Sequence, residues 1–246
     1  MKYISKKVFD FCKNNKITCS SDTAEKFDVL YDMLIEFNEH TNITSLKTED
    51  EICTKHFIDS LYPLSYSLIP DGASIIDVGC GGGFPGLPLK IVKNNINLTF
   101  LDSTEKKLKF AQNVCEKFGY DCDFYAERAE ELIKDGHREK YDVAVSRAVA
   151  SLPILSELCI PYVKEGGIFI AYKSLKECDK SNPASELSLS EKAITALGGK
   201  IEKVYPAYLN LQDKTVFEHA LVVIRKVKPT NQIFPRRYPV ILKKPL

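Results

Sequence analysis

Residues 75–86 read Ile-Ile-Asp-Val-Gly-Cys-Gly-Gly-Gly-Phe-Pro-Gly, an apolar strand running into a glycine-rich turn. A helix follows near Pro85, because proline's fixed φ suits a first helical turn. Glycines in such a turn admit positive φ and let a ligand approach bare backbone. Ligands of open α/β sheets bind at the carboxyl ends of the strands, where this loop would sit. Gly81, Gly83 and Gly86 satisfy the spacing G-x-G-x-x-G, so a dinucleotide fold is a rival from the start. Sixteen residues after Gly86, Asp102 closes the next apolar run. A carboxylate there can accept both hydroxyl hydrogens of a ribose. NAD and S-adenosylmethionine both carry one, so Asp102 supports a nucleoside cofactor without choosing between them. Its alternative role is to cap the helix that starts near Glu105.

Two later strand ends face the same crevice. Glu127-Arg128-Ala129-Glu130 opens a helix whose backbone and carboxylate could bracket an adenine edge. Ser146-Arg147 ends the fourth strand, and an arginine fork there would match a cofactor carboxylate or an RNA phosphate. His56 and Asp59, three apart on one helical face, are the side chains open to a catalytic part, or else hold the helices against the sheet. His40 and Asn42 read as catalytic or as loop hydrogen-bonders. Cys80 lies in the glycine loop but reads as a small buried thiol. No nucleophile–His–acid constellation is present, and no Cys-x-x-Cys pair or Cys/His cluster has metal-ligand spacing.

The elements that must position these residues follow from the hydrophobic pattern. Residues 1–70 are helical: Phe27, Leu30, Tyr31, Leu34, Ile35 and Phe37 line one face of a helix over Thr23–Phe37. Ser20, Ser21 and Asp22 offer its N-cap, with Glu25 as a capping-box partner. A second helix covers Glu49–Leu68, and Ile69-Pro70-Asp71-Gly72 marks a boundary. Residues 71–228 then alternate short apolar strands (Ser74–Val78, Asn97–Leu101, Asp123–Tyr125, Tyr141–Val145, Ile168–Tyr172) with helical stretches such as Thr104–Phe118 and Ser151–Val163. That alternation implies a parallel sheet covered on both faces. Lys200–Ala207 and His219–Val227, with no helix between them, predict an antiparallel C-terminal strand pair at the sheet edge.

Residues 229–246 form a basic tail. From Arg225 to Leu246 there are seven Lys or Arg and no acid, although the whole chain carries only +1. Such a tail suits a polyanion. Arg236, Arg237, Lys243 and Lys244 are candidate RNA contacts, on a Pro-rich segment expected to resist regular structure. Phe234 and Tyr238 interleave with them, either to stack on an unpaired base or to pin the tail. Lys6, Lys7, Lys13 and Lys16 could extend the basic surface. No apolar run reaches membrane-spanning length and no signal-peptide core opens the chain, so a cytoplasmic location with eight reduced cysteines is expected. No helix carries a long unexplained apolar stripe, so a monomer is expected.

Asp77 followed by G-x-G-x-G from Gly79 resembles the first motif of S-adenosylmethionine methyltransferases. Taken with Asn38-Glu39-His40-Thr41-Asn42-Ile43-Thr44, Lys55-His56-Phe57-Ile58-Asp59-Ser60, the Phe84-Pro85-Gly86 ending, Arg128-Ala129-Glu130, Ser146-Arg147-Ala148 and the tail Phe234-Pro235-Arg236-Arg237, the chain resembles the bacterial ribosomal RNA small-subunit methyltransferase G family, also called glucose-inhibited division protein B. The resemblance covers nearly the whole chain. It implies a Rossmann-like class I methyltransferase sheet and S-adenosylmethionine as cofactor. It also implies methyl transfer to N7 of one guanine of 16S ribosomal RNA, free or in the 30S subunit. By resemblance and by position, Gly79, Gly81, Phe84, Asp102, Ala129, Glu130 and Arg147 are the expected cofactor contacts. One departure is visible: the fifth strand ends Lys173-Ser174 where the family has Lys-Gly, and serine there is expected to cost some backbone freedom. Two alternatives stay open on the residues themselves, an NAD-dependent dehydrogenase and a non-catalytic RNA-binding ribosome assembly factor.

Overall fold

A computed structural model describes residues 1–246. The helices are α1 (Tyr3–Asn14), α2 (Ser21–Asn38), α3 (Glu49–Ile52), α4 (Asp59–Ser65), α5 (Gly86–Val92), α6 (Glu105–Phe118), α7 (Ala129–Leu132), α8 (Leu152–Cys159), α9 (Glu186–Ala196) and α10 (Tyr238–Lys243). The strands are β1 (Ser74–Val78), β2 (Asn97–Leu101), β3 (Asp123–Tyr125), β4 (Tyr141–Arg147), β5 (Val163–Ser174), β6 (Gly199–Asn210) and β7 (Val216–Lys226). They form one sheet in the order β3-β2-β1-β4-β5-β7-β6. The first five strands are parallel, and β7 enters antiparallel between β5 and β6. The alternating pattern after residue 71 and the antiparallel C-terminal pair are both present.

Chain direction reverses its march across the sheet between β1 and β4, which are neighbours. From β1 the chain moves outward to β2 and β3; from β4 it moves the other way. The loops leaving β1 and β4 therefore part, and a crevice opens at their carboxyl ends. The two sheet faces are covered differently. Helices α1, α2, α4, α5 and α6 share one apolar core that includes Phe27, Leu34, Phe57, Leu61, Ile75, Phe100 and Phe110. Helices α8, α9 and α10 share the other, with Ile76, Leu155, Phe169, Val222 and Ile241. The N-terminal helices thus pack into the sheet's own core.

Local chemistry sets the ends of these elements. Ser20, rather than Ser21 or Asp22, caps α2 by accepting the Thr23 N–H at 3.1 Å. Glu25 completes no capping box and instead lies 3.7 Å from the N-terminal ammonium. Helix α6 stops at Gly119, whose φ of +68° is the left-handed C-cap that glycine adopts without a Cβ clash. The expected helix over Glu49–Leu68 is broken into α3, a π-turn at Cys53–Ile58, and α4. Hydrophobic periodicity cannot register a single widened turn, and such turns recur at functional sites.

Two further expectations change. Ser174 sits at φ −68°, ψ 139°, a conformation open to any residue, and caps the short turn Leu175–Cys178 in a capping box with Glu177. Replacing glycine there carries no backbone penalty. The tail does not stay irregular: α10 forms, with Pro239 in its first turn, where a missing N–H matters least. Phe234 and Ile241 are buried and dock it.

At Gly86 the glycine is dictated by close approach. A Cβ there would stand 2.5 Å from Phe100 Cε1 and 2.9 Å from Asp77 Oδ2. Gly86→Ala is expected to destabilise the protein by about 1–3 kcal/mol through overpacking. Urea unfolding would show this as a lower midpoint at unchanged slope, and an unmoved midpoint would contradict it.

Candidate active site

The crevice between the β1 and β4 ends is a cleft of about 420 Å³. It gathers all seven positions named from sequence as cofactor contacts: Gly79, Gly81, Phe84, Asp102, Ala129, Glu130 and Arg147. His56 joins them. Asp59 lies directly behind, fully buried, while Arg236, Arg237, Lys243 and Lys244 stand outside the lining.

The glycine loop is held by main-chain bonds from the neighbouring strand. The N–H groups of Gly79 and Cys80 both donate to the Leu101 carbonyl, at 2.7 and 3.1 Å. Gly79 has φ +70°, and a Cβ on it would meet Val149 Cγ2 at 2.4 Å. Gly81 has φ +55° and open space where a Cβ would point. Asp77 is not in the cleft lining. Its carboxylate is buried and its Oδ2 accepts the Gly86 N–H at 2.8 Å, tying β1 to the start of α5. Burial pushes its carboxyl up to about 7, and Oδ1 has no hydrogen-bond partner. Burial and the neighbouring carboxylates likewise push the Cys80 thiol up, so it is no nucleophile.

Asp102 does two things. Oδ2 accepts the Gly81 N–H and Oδ1 accepts the Thr104 N–H, each at 2.8 Å. The second is a local Asx bond near the start of α6, so the capping reading is partly right, although Thr104 occupies the cap itself. Each oxygen keeps a further lone pair on a cleft-lining residue. That pair of acceptors fits a ribose diol, and the bare loop backbone at Gly81 leaves room for one. The residues present therefore fit a nucleoside cofactor. Ala129 and Glu130 form the first turn of α7, where unpaired N–H groups face outward.

Arg147 is more committed than its sequence position suggests. Nη1 donates to Asp59 Oδ2 at 2.8 Å and to the Lys55 carbonyl at 3.0 Å, and Nη2 lies 3.3 Å from His56 Nδ1. His219 Nδ1 reaches the other Asp59 oxygen at 3.2 Å. Burial raises the cost of charge on Asp59, but the His219 hydrogen bond and the Arg147 charge outweigh it and hold the carboxyl below the usual range. Burial and the Arg147 cation push His56 down to about 3, so its ring is neutral. With Nδ1 accepting from Arg147, the proton sits on Nε2, which donates to Thr44 Oγ1 at 2.7 Å. The ring stacks on Phe84 at 4.8 Å. The helix-to-sheet fastening read for His56 and Asp59 is thus present, and His56 also reaches the cleft.

The loop after α2 contributes what the sequence reading missed. Asn38 Oδ1 accepts the Ile43 and Thr44 N–H groups at 2.8 and 2.9 Å, so Asn38 ties this loop. His40 and Asn42 are exposed. Ile43 packs against Gly82 and lines the cleft. Lys107, Arg128 and Tyr238 also line it. Arg128 belongs to the Arg128-Ala129-Glu130 motif, whereas Lys107 is an ordinary surface cation in sequence and carries no motif. Arg236 is bound to Glu157 through Nε and Nη2 at 2.8 and 2.6 Å, which leaves Arg237, Lys243 and Lys244 as the exposed cations of the tail. All eight cysteines are free thiols, and no cluster of ligands is arranged for a metal ion. No helix is long and apolar enough to cross a membrane.

A seven-stranded sheet with one inserted antiparallel strand, a glycine loop after β1 and an acid after β2 define a class I methyltransferase. Solved structures agree on the fold. The chain superposes on a SAM-dependent methyltransferase from Methanosarcina mazei (TM-score 0.51, 16% identity, 68% of this chain and 98% of that one). It also superposes on precorrin-6y C5,15-methyltransferase from Geobacter metallireducens (TM-score 0.51, 14% identity, 74% and 92%). The family model for rRNA small subunit methyltransferase G matches residues 23–205. Ribosomal RNA small subunit methyltransferase G of Clostridium botulinum is 39% identical over 237 residues, covering 96% of this chain and 95% of that one. The protein of the same name from Alkaliphilus metalliredigens is 39% identical over 241 residues, covering 96% of each. The chain belongs to the rRNA small subunit methyltransferase G family. The dehydrogenase reading is thereby overturned; the G-x-G-x-x-G match arises from glycines that a methyltransferase loop also needs.

The raised Asp77 carboxyl gives a pH signature. Between the ordinary carboxylate value and about 7, the native protein keeps a proton that the unfolded chain has released, so stability falls as pH rises through that window. Asp77→Asn cannot ionise. Its stability relative to wild type is expected to improve by about 2–3 kcal/mol between about pH 5 and about pH 8. A difference that stays constant over that range would contradict the assignment.

Proposed function

We propose that the protein transfers a methyl group from S-adenosylmethionine to N7 of a guanine in small-subunit (16S) ribosomal RNA. The observation that carries this reading is a crevice, lined by the glycine loop and Asp102, whose one lining imidazole is held neutral and hydrogen-bonded at both nitrogens, in a chain of the rRNA methyltransferase G family. The cofactor supplies an electrophilic sulfonium methyl. Guanine N7 carries an in-plane lone pair and loses no proton when it attacks, so the protein needs no general base. Its work is alignment, which can lower a barrier by up to roughly 7–11 kcal/mol in favourable cases.

The chain's own residues divide that work. Asp102 would accept the ribose hydroxyls, the α7 first turn at Ala129 and Glu130 would meet the adenine edge, and the backbone at Gly79 and Gly81 would face the methionine portion. Positive charge moves onto the base during transfer, which a bare cation beside it would oppose. Arg147 is no bare cation, because Asp59 neutralises it at 2.8 Å. Its remaining donors are free for a carboxylate or phosphate, while it fixes the His56–Phe84 stack at the cleft rim. Arg237, Lys243 and Lys244 are the tail cations left for RNA phosphates. In this reading the partner is ribosomal RNA or the 30S subunit, and the chain acts as a monomer in the cytoplasm. A non-catalytic assembly factor would need none of this alignment.

Labelled methyl from S-adenosylmethionine is expected to appear at N7 of a single guanine in unmethylated small subunits. Asp102→Ala should raise the KM for the cofactor roughly tenfold or more. Absence of label, on subunits that another methyltransferase modifies, would overturn the proposal. Because His56 does not titrate near neutrality, single-turnover rates of Asp77→Asn, where the carboxyl placed at about 7 cannot ionise, should be level from about pH 6 to about pH 8.5. A bell-shaped profile centred there would instead identify a base.

A further inference from the structure

Tyr238 opens α10, far in sequence from the glycine loop, yet it forms part of the cleft wall beside Ala129, Glu130 and Leu158. Three independent contacts hold it there. Its N–H donates to Glu130 Oε1 at 3.3 Å. The Arg128 guanidinium lies over its ring, 5.2 Å from the centroid. Two residues earlier, Arg236 grips Glu157 with its backbone N–H as well as its guanidinium, at 2.9, 2.8 and 2.6 Å.

Glu157 is fully buried on α8. A buried carboxylate stripped of its partner is strongly destabilising, so this pair fixes the register of the tail against α8. Arg138 adds a bond from Nη2 to the Phe234 carbonyl at 2.6 Å, and Phe234 and Ile241 are buried on either side of Tyr238. The ring is therefore a rigid part of the wall, at the end of the cleft formed by the α7 first turn. An aromatic and an apolar side chain flanking unpaired backbone N–H groups suit a flat heterocycle with polar edges.

We propose that Tyr238 contacts the cofactor, its ring forming the outer wall of the adenine subsite, and that Arg236 is a positioning residue that holds Tyr238 there through Glu157. This rests on S-adenosylmethionine being the cofactor. It gives Arg236 a task inside the protein in place of an RNA phosphate.

Equilibrium binding of S-adenosylhomocysteine and of adenosine to the full chain tests it, with thermal unfolding of each variant alongside. Loss of an aromatic contact to a base weakens binding about 5- to 100-fold. Tyr238→Ala is expected to weaken both ligands by the same factor in that range, because both carry the adenine, whereas Tyr238→Phe stays within about twofold of wild type. Arg236→Gln should weaken both ligands, and Tyr238→Ala combined with Arg236→Gln should bind no worse than Tyr238→Ala alone. A general loss of stability would not produce that non-additivity. Unchanged affinity in Tyr238→Ala, or an equal loss in Tyr238→Phe, would overturn the ring contact; additive losses would overturn the role of Arg236. Wild-type protein that binds neither ligand would overturn the cofactor reading itself, a separate outcome.

Discussion

One buried charge organises this molecule. Asp59 is fully enclosed, and an isolated carboxylate in such a place costs several kcal/mol. It is tolerated because Arg147, at the end of β4, and His219, on β7, both reach it. Satisfying Asp59 therefore requires the N-terminal helices to dock on the sheet in one register. The same docking brings the Lys55 carbonyl and the His56 ring to Arg147. The π-turn at Cys53–Ile58 belongs to this arrangement, since it carries both residues. Tyr62 and Tyr66 extend the fastening to the hairpin by donating to the Tyr208 and Pro206 carbonyls.

The electrostatic character of the cleft follows from that docking. Arg147 would present a lone cation if β4 ended without Asp59 behind it. Paired, it leaves the cleft near-neutral; burial, with the Arg147 cation adding to it, lowers the basicity of His56, so the one imidazole at the rim is a flat, hydrogen-bonded surface on Phe84. A site built this way is suited to alignment and poorly suited to proton transfer. Lys173 adds to the rigidity by holding the Ala150 carbonyl and Glu186, which in turn accepts the Leu152 N–H, so the loop after β4 is tethered from both sides.

Strands were legible because parallel strands buried on both faces read as unbroken apolar runs, and β1 and β2 begin and end where those runs do. The glycine loop was legible because positive φ and close approach restrict residue type at particular positions. Other features left weaker marks. A π-turn shifts periodicity by one residue, less than ordinary scatter in a helical pattern. The loop bond partner at 38 is one polar residue among several, and nothing local separates Asn38 from His40 or Asn42. Arg236 and Arg237 are adjacent and chemically alike, yet one is spent on Glu157 and the other is exposed.

By itself the sequence determined the class of fold, the place of the crevice and the identity of its loop, since those depend on local backbone chemistry and on hydrophobic spacing. It could nominate Asp102, Ala129, Glu130 and Arg147, because strand ends are predictable once strands are. Only the tertiary structure decided what each charge does. Whether Arg147 stands alone at its strand end or is paired with a buried acid, and whether Tyr238 hangs free on the tail or forms part of the cleft wall, depends on residues about ninety and about one hundred positions away. Electrostatic and packing partners at that separation are chosen by the docking of whole elements, and no local pattern records them.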